Sequence, residues 1–157
     1  MIKVIFVCLG NICRSPMAEG IFSKMVEEAR LSDQISIRSF ATGSWNLGNS
    51  PHRGTKQVLK KLGIDYADMR AEKLMPEDIK TAQYIVGMDD SNVRNILKVS
   101  QDEDAHMKVK KLMDYVKNPE ATSIPDPYYT GDFMETERLI TAGCEALLKF
   151  IRVKEGI

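Results

Sequence analysis

The sequence predicts an α/β fold in which a small parallel sheet of about four strands carries helices on both faces. Short apolar runs alternate along the chain with segments whose apolar residues recur at helical spacing. The first run, Ile2 to Cys8, is almost continuously apolar, as is typical of a strand buried on both faces. Its 157 residues suit one ordinary domain, so we expect a single domain over residues 1–157. Ligands of such sheets bind beyond the carboxyl ends of the strands, here the loop after Cys8.

The first strand is therefore predicted at Ile2 to Cys8, ending before Gly10 and Asn11. A helix follows, with Ser15 as the expected N-cap and Pro16 as the expected first residue. Its apolar face consists of Ala18, Ile21, Phe22, Met25, Val26 and Ala29.

A second strand is predicted at Ile35 to Phe40, and a turn-rich loop at Thr42 to Pro51. The next helix begins near His52 and is stopped by Gly63. The third strand is predicted at Tyr84 to Met88.

Residues Asp89 to Asn92 supply capping side chains for a helix through Val93, Ile96 and Leu97. A fourth strand is predicted at Val109 to Met113, before a proline-rich loop at Asn118 to Asp132. The chain then ends in a long helix with one apolar face, formed by Leu139, Ile140, Gly143, Cys144, Leu147, Leu148 and Ile151.

Composition narrows the classes of function. Lys and Arg number 22, as do Asp and Glu, and this zero net charge argues against nucleic acid as the main partner. No apolar run has the length of a membrane span. The three cysteines are few and odd in number, which favours a reducing cytosol, so we expect a cytoplasmic protein. The sequence leaves unconventional export open, and it favours a monomer without defining the oligomeric state.

The loop from Cys8 to Ser15 carries the first chemical motif. If it curls into a ring, its backbone N–H groups and the positive end of the following helix create a site for a tetrahedral oxyanion. That field favours the thiolate of Cys8, a strong nucleophile, while the planar Arg14 guanidinium can bind two oxygens of the anion. Gly10 and Asn11 suit the curl because both tolerate positive φ.

Other interpretations of this segment are weaker. A lone cysteine at a strand end is more often a small buried apolar residue. No Gly-Lys-Ser/Thr sequence follows to make a Walker loop, and one glycine is too few for a dinucleotide fingerprint. Zinc would need more ligands than Cys8, Cys13, His52 and His106 offer at any standard spacing, so no metal is expected.

The second motif is the segment Pro125 to Tyr129, where two prolines flank Asp126. By itself it is typical of a surface turn. Beside a nucleophilic thiolate, a carboxylic acid here can protonate the oxygen that leaves a transferred phosphoryl group, and later activate water as a carboxylate.

Three segments together, Cys8 to Pro16, Met88 to Asn92 and Asp126 to Tyr129, closely resemble the low-molecular-weight protein tyrosine phosphatases. The resemblance covers the whole chain, and we expect the strand order of flavodoxin. It implies hydrolysis of phosphotyrosine and small aryl phosphates through a cysteinyl-phosphate, without a cofactor or metal.

The resemblance also implies residue roles. Cys8 is the expected nucleophile, Arg14 the phosphate ligand and Asp126 the general acid and base. Ser15 is expected to hydrogen-bond the thiolate, and Asn11 to hold the loop in its curled shape. The other loop residues expected around the phosphate are Leu9, Gly10, Ile12 and Cys13.

Substrate choice follows from the rim that we expect around Cys8. Walls formed by Trp45, Tyr128 and Tyr129 favour a long flat aryl phosphate, and hence phosphotyrosine proteins or peptides, over phosphoserine. Asn46 is expected to be a further rim contact. Trp45 is expected at the rim and not in the core because its neighbours have loop composition.

Two features remain open in the sequence. Family members often carry a histidine that bonds toward the serine of the phosphate loop, but Asp65 to Ala71 contain none, which leaves Asp68 or Arg70 as replacements. Cys13 is either a small packing residue or a redox partner that captures oxidised Cys8 as a disulfide. His52 and His106 are expected to be ordinary surface residues.

Two other functions are alternatives. A thioredoxin-coupled arsenate reductase would need two further cysteines in a later loop, but only Cys144 remains, in a helix. A phosphate-binding module without turnover would not need both a nucleophile and an acid. For the phosphatase we expect a bell-shaped pH profile that is best on the acidic side of neutral, with the alkaline limb set by deprotonation of Asp126.

Overall fold

The computed structural model describes residues 1–157 and contains one sheet of four parallel strands in the order β2-β1-β3-β4. The strands are β1 (Ile2–Cys8), β2 (Ile35–Ala41), β3 (Tyr84–Gly87) and β4 (Val109–Lys111). The predicted α/β class, parallel sheet and flavodoxin-like strand order are confirmed.

Seven α-helices and one 3₁₀-helix connect and cover the strands. The α-helices are α1 (Arg14–Glu28), α2 (Arg53–Lys61), α3 (Pro76–Thr81), α4 (Asp90–Val99), α5 (Glu103–His106), α6 (Pro127–Thr130) and α7 (Phe133–Glu155), and the 3₁₀-helix is Leu112–Tyr115. None of these helices combines the length and the apolar character needed to cross a bilayer.

Alternate residues of β1 point into two separate apolar cores. Val4, Phe6 and Cys8 contribute to the larger core, which also contains residues of α1 and α7. Ile5 and Val7 contribute to the smaller core, with residues of α3, α4 and α5. Helices therefore lie on both faces, as predicted, and β1 is buried between its two neighbours, which explains its nearly continuous apolar sequence.

Several element ends differ from the predictions, and β3 ends at Gly87, one residue before the predicted Met88. Ser15 does not cap α1, which begins at Arg14 after Cys13 and has no side-chain cap, because the Ser15 hydroxyl bonds to other side chains of the loop. The fourth strand ends at Lys111, two residues early, and the chain turns into the 3₁₀-helix as Asp114 accepts the backbone N–H of Lys111.

Candidate active site

Cys8 stands at the carboxyl end of β1, at the bottom of an open cavity of about 300 Å³. The loop of residues 9–13 joins this strand end to α1. The cavity is lined by Cys8, Leu9, Gly10, Ile12, Cys13, Trp45, Asn46, Asp126, Tyr128 and Tyr129. The structure therefore brings both predicted motifs and the predicted rim to one place.

The backbone of this loop has free hydrogen-bond donors. No N–H group of residues 9–13 donates to another protein group. Asn11 has φ of +56°, the left-handed conformation that curls a loop so that successive N–H groups point in one direction. Gly10, for which positive φ was also expected, does not adopt it. A Cβ at Gly10 would lie 2.8 Å from Asn46 Nδ2, so the glycine provides space for Asn46.

Arg14 is held rigidly at the first position of α1. Its Nη1 donates to Asp89 Oδ2 at 2.7 Å and to the carbonyl of Ile124 at 2.8 Å, and its Nη2 lies 3.4 Å from Asp126 Oδ2. The side chain is 3% exposed, and its buried Nε has no hydrogen-bond partner. A buried guanidinium N–H without an acceptor carries an energetic cost that an anion at the loop would remove.

The side chains of Ser15 and Asn11 are buried and do not line the cavity. Ser15 Oγ is 3.0 Å from Cys8 Sγ and accepts a hydrogen bond from Asn11 Nδ2 at 2.7 Å. Asn11 Oδ1 accepts the backbone N–H of Glu72 at 3.0 Å. The resemblance predicted a contact between Ser15 and Cys8 and loop-holding hydrogen bonds from Asn11, but it named neither Ser15 nor Glu72 as a partner of Asn11.

Asp126 reaches the cavity from the loop before α6. Its Oδ1 accepts the N–H of Tyr128 at 3.1 Å, which makes it the N-cap of this short helix, and its Oδ2 points toward Arg14. A proline on each side restricts the backbone at this position. The carboxyl group is therefore oriented toward the cavity that Cys8 occupies.

The rim is aromatic and exposed. Trp45 is 77% exposed, and Tyr128 and Tyr129 are 61% and 76% exposed. His52, for which the sequence indicated no special place, adjoins this rim: its ring stacks on Phe133 at 5.1 Å and meets Tyr128 edge-on at 6.1 Å.

The sequence reasoning missed three polar residues behind the loop. Asp89 was predicted only as a helix cap, yet it also binds Arg14. Ser39 accepts from Asn11 Nδ2 and donates to Glu19. Ser39 is one of three polar residues in β2 and follows Arg38 directly, so no sequence signal marked either Ser39 or Glu19.

Neither candidate for the missing histidine contacts Ser15. Arg70 donates to the carbonyls of Ala67 and Met69, and Asp68 makes no side-chain hydrogen bond. Both residues line a second, polar cavity next to Glu19 and Ser39.

The other two cysteines are buried thiols. Burial, together with the charges of Cys8 and Asp126, raises the pKa of Cys13 to about 12. Burial also raises the pKa of Cys144, which packs against α1 near the carbonyl of Ala18.

Comparisons with known proteins agree with this geometry. The family model of the low molecular weight phosphotyrosine protein phosphatases matches residues 3–156. YfkJ of Bacillus subtilis, a low molecular weight protein-tyrosine-phosphatase, is 41% identical over 157 residues, which is all of both chains. Its crystal structure has a TM-score of 0.96 and covers 99% of this chain and 97% of its own.

Two further relatives are similar to this chain over most of their length. PtpA of Staphylococcus epidermidis, also a low molecular weight protein-tyrosine-phosphatase, is 42% identical over 96% of this chain and 94% of its own length. The structure of DARP, a drosophila arginine phosphatase, is 31% identical, has a TM-score of 0.88 and covers 96% of this chain and 98% of its own. By the family match and these identities, the chain belongs to the low molecular weight phosphotyrosine protein phosphatases and is a hydrolase.

Proposed function

We propose that this protein hydrolyses phosphotyrosine through a cysteinyl-phosphate intermediate, with Cys8 as nucleophile and Asp126 as general acid and then base. The observation that carries the proposal is the position of both side chains on one cavity, beside a buried arginine whose Nε lacks a partner. A pure phosphate binder would require only the arginine and the loop.

In the first step the Cys8 thiolate attacks phosphorus. A sulfur–phosphorus bond forms as the bond from phosphorus to the tyrosyl oxygen breaks, and Asp126 gives its proton to that oxygen. The loop N–H groups and Arg14 bind the equatorial oxygens, where the negative charge of the transition state lies. These donors supply the electrostatic stabilisation that the reaction needs.

In the second step water attacks the phosphorus of the intermediate. Asp126, now a carboxylate, accepts a proton from this water, and the sulfur–phosphorus bond breaks to release inorganic phosphate. The departing sulfur becomes a thiolate again, and the Ser15 hydroxyl at 3.0 Å is placed to donate to it.

The aromatic rim supports a tyrosine substrate. Cys8 is 3% exposed, so the phosphate must reach it on an extended group, and the rings of Trp45, Tyr128 and Tyr129 offer faces on which a phenyl ring can stack. Phosphotyrosine proteins or peptides are therefore the proposed partners, and residues 1–157 the proposed catalytic unit.

Initial rates with p-nitrophenyl phosphate, a phosphotyrosine peptide and phosphoarginine, all with a chelator present, test the proposal. We expect turnover of the first two substrates, none with Cys8→Ser, and a loss of about 10²- to 10⁴-fold in kcat with Asp126→Ala. Asp126→Asn should also lose the alkaline limb of the pH profile.

Other results would replace the proposal. Faster turnover of phosphoarginine would reassign the substrate, and turnover by Cys8→Ser would remove the intermediate. Wild-type protein that binds vanadate without hydrolysing any substrate would indicate a binding module, unless it reduces arsenate with a thiol partner.

A further inference from the structure

Behind the phosphate loop, a line of hydrogen bonds connects Cys8 to a carboxylate on α1. Ser15 Oγ is 3.0 Å from Cys8 Sγ, and Asn11 Nδ2 is 2.7 Å from Ser15 Oγ. The same Nδ2 is 3.0 Å from Ser39 Oγ, which donates to Glu19 Oε1 at 2.5 Å. Ser15, Asn11 and Ser39 are all buried, so bulk water does not compete for these groups.

The orientation of Asn11 is fixed from outside this line. Its Oδ1 accepts from the backbone N–H of Glu72, a group that can only donate. The amide therefore presents both hydrogens of Nδ2 to Ser15 and Ser39. Each serine accepts one hydrogen bond from Asn11 and retains one hydroxyl proton to donate.

Glu19 determines where the proton of Ser39 goes. An ionised carboxylate can only accept hydrogen bonds, so the Ser39 hydroxyl points toward it and keeps its oxygen lone pairs for Asn11. Without this acceptor, the Ser39 proton can turn toward Asn11 Nδ2, and the hydrogen bond that Ser39 accepts from this amide is lost. Asn11 would then be held by Glu72 and Ser15 alone, and its Nδ2 would be directed less firmly at Ser15.

We propose that Glu19 is a positioning residue for the phosphatase reaction, which acts through Ser39 and Asn11 so that the Ser15 hydroxyl donates to the Cys8 thiolate. This proposal rests on the proposed function, in which the thiolate of Cys8 is both nucleophile and leaving group.

The surroundings of Glu19 make its charge state sensitive to pH. Its side chain borders the polar cavity of about 310 Å³, whose charged lining residues are Glu19, Arg38, Asp65, Asp68, Arg70 and Glu72. Burial raises the pKa of Glu19 and the charge of Glu72 adds to this, whereas the hydrogen bond from Ser39 and the charge of Arg38 oppose it. A protonated Glu19 gains a donor that competes for Ser39, so acidification weakens the positioning effect.

The test is the alkylation rate of Cys8 by iodoacetamide as a function of pH, compared among wild type, Glu19→Leu, Ser39→Ala and the double variant. Iodoacetamide is neutral, so it reports thiolate and not surface charge, and a Cys8→Ser protein gives the background from other cysteines. Glu27→Leu, which removes an exposed carboxylate from the same helix, is the matched control.

We expect Glu19→Leu to slow alkylation about tenfold near neutral pH and to move the profile toward higher pH, with a smaller difference at acidic pH, where wild-type Glu19 is protonated. Alkylation of the double variant should be no slower than that of the slower single variant, because both substitutions interrupt the same series of hydrogen bonds. Glu27→Leu should superimpose on wild type. The proposal would be overturned if the pH profile of Glu19→Leu superimposed on that of wild type. It would also be overturned if the double variant slowed alkylation by the product of the factors of the two single variants.

If circular dichroism shows that Glu19→Leu is unfolded, Glu19→Gln replaces it in the experiment. The amide N–H₂ of this glutamine competes for Ser39, so the pH profile of Cys8 alkylation should also shift. A Gln variant identical to wild type would overturn the proposal. Turnover of p-nitrophenyl phosphate by Cys8→Ser, measured in parallel, would instead show that the proposed function fails.

Discussion

Asp89 joins Arg14 to the start of a helix on the other face of the sheet. Its Oδ2 accepts from Arg14 Nη1 at 2.7 Å, and its Oδ1 accepts from the backbone N–H of Asn92, also at 2.7 Å, as the N-cap of α4. One carboxylate therefore aligns the arginine and satisfies one of the unpaired N–H groups at the start of α4. This double use explains how Arg14 is fixed without contact from its own helix.

Asp89→Asn should separate the role of Asp89 as a partner of Arg14 from its role as the cap of α4. Asparagine caps helices as well as aspartate does, so α4 should keep its cap, and any fall in melting temperature should come from the lost ion pair with Arg14. The amide has no charge and presents a donor toward Arg14, so kcat/KM for p-nitrophenyl phosphate should fall about 10- to 100-fold. Steady-state kinetics and thermal melts of the same preparation measure both effects.

Asp132→Asn is the matched control, because Asp132 caps α7 through the N–H of Glu135 and makes no contact with Arg14. It should keep wild-type kcat/KM. An Asp89→Asn enzyme with the kinetics of this control would show that Asp89 serves only as a cap.

Cys13→Ser should impair recovery from oxidation. With its pKa raised to about 12, Cys13 is a protonated thiol at neutral pH and leaves Cys8 as the group that peroxide oxidises. Once Cys8 is a neutral sulfenic acid, its charge no longer raises the pKa of Cys13, which favours loss of the Cys13 proton. The Cys13 sulfur then attacks the Cys8 sulfur, the disulfide bond forms as the sulfur–oxygen bond breaks, and the hydroxyl group leaves with the proton as water, which prevents oxidation to the sulfinic acid.

The measurement is activity recovered with dithiothreitol after graded peroxide exposure. Wild type should regain most of its activity and Cys13→Ser much less, with sulfinic acid at Cys8 visible by mass spectrometry. Cys144→Ser should behave like wild type because Cys144 is fully buried on α7. Equal recovery of all three proteins would leave Cys13 as a packing residue.

The parts of the fold that the sequence predicted well are those with a long or local signal. β1 has the predicted bounds, and α7 spans 23 residues with its predicted apolar face buried except at half-buried Leu148, because periodicity over many residues is a strong signal. The α4 cap, Asp89, lies in the predicted capping segment Asp89 to Asn92, because capping is a contact between residues three apart.

The parts that were missed depend on short elements or distant contacts. Helices α3, α5 and α6 have six, four and four residues, too few for a period to show. Arg14 meets Asp89 across 75 positions, and Ser39 meets Glu19 across 20, so no spacing rule connects them. Ser15 was assigned to a cap because local propensity cannot show that Asn11 and Cys8 occupy its hydroxyl.

Trp45→Ala should weaken substrate binding with little effect on chemistry. The indole is 77% exposed, so its removal should barely change stability, but it lines the cavity above Cys8. Loss of a stacking surface should raise KM for a phosphotyrosine peptide about tenfold and leave kcat nearly unchanged. Leu47→Ala, at an exposed residue of the same loop outside the cavity lining, is the control. A KM for Trp45→Ala equal to that of Leu47→Ala would contradict a rim role.

Glu19→Gln should change how stability depends on pH. Burial raises the pKa of Glu19 above its ordinary value of 4.5, so the folded protein holds this proton more tightly than the unfolded chain does. The stabilisation that comes from protonated Glu19 is therefore complete at pH values below the ordinary pKa of 4.5. It is lost as the pH rises through the higher pKa that Glu19 has in the folded protein. The difference in free energy of unfolding, wild type minus Glu19→Gln, should fall from acidic to neutral pH in urea titrations.

Glu120→Gln is a control in which the stability difference should change with pH in the opposite direction. The hydrogen bond and charge of Arg138 lower the pKa of Glu120, so any stabilisation from this carboxylate is present at neutral pH and lost on acidification. Because Glu120 lies on the surface, solvent should keep that effect small. A flat difference curve for Glu19→Gln would show that Glu19 titrates as an ordinary carboxylate. A falling curve would show that the protein keeps this carboxylate ionised at neutral pH at a cost in stability, as expected of a residue retained for its action on the site.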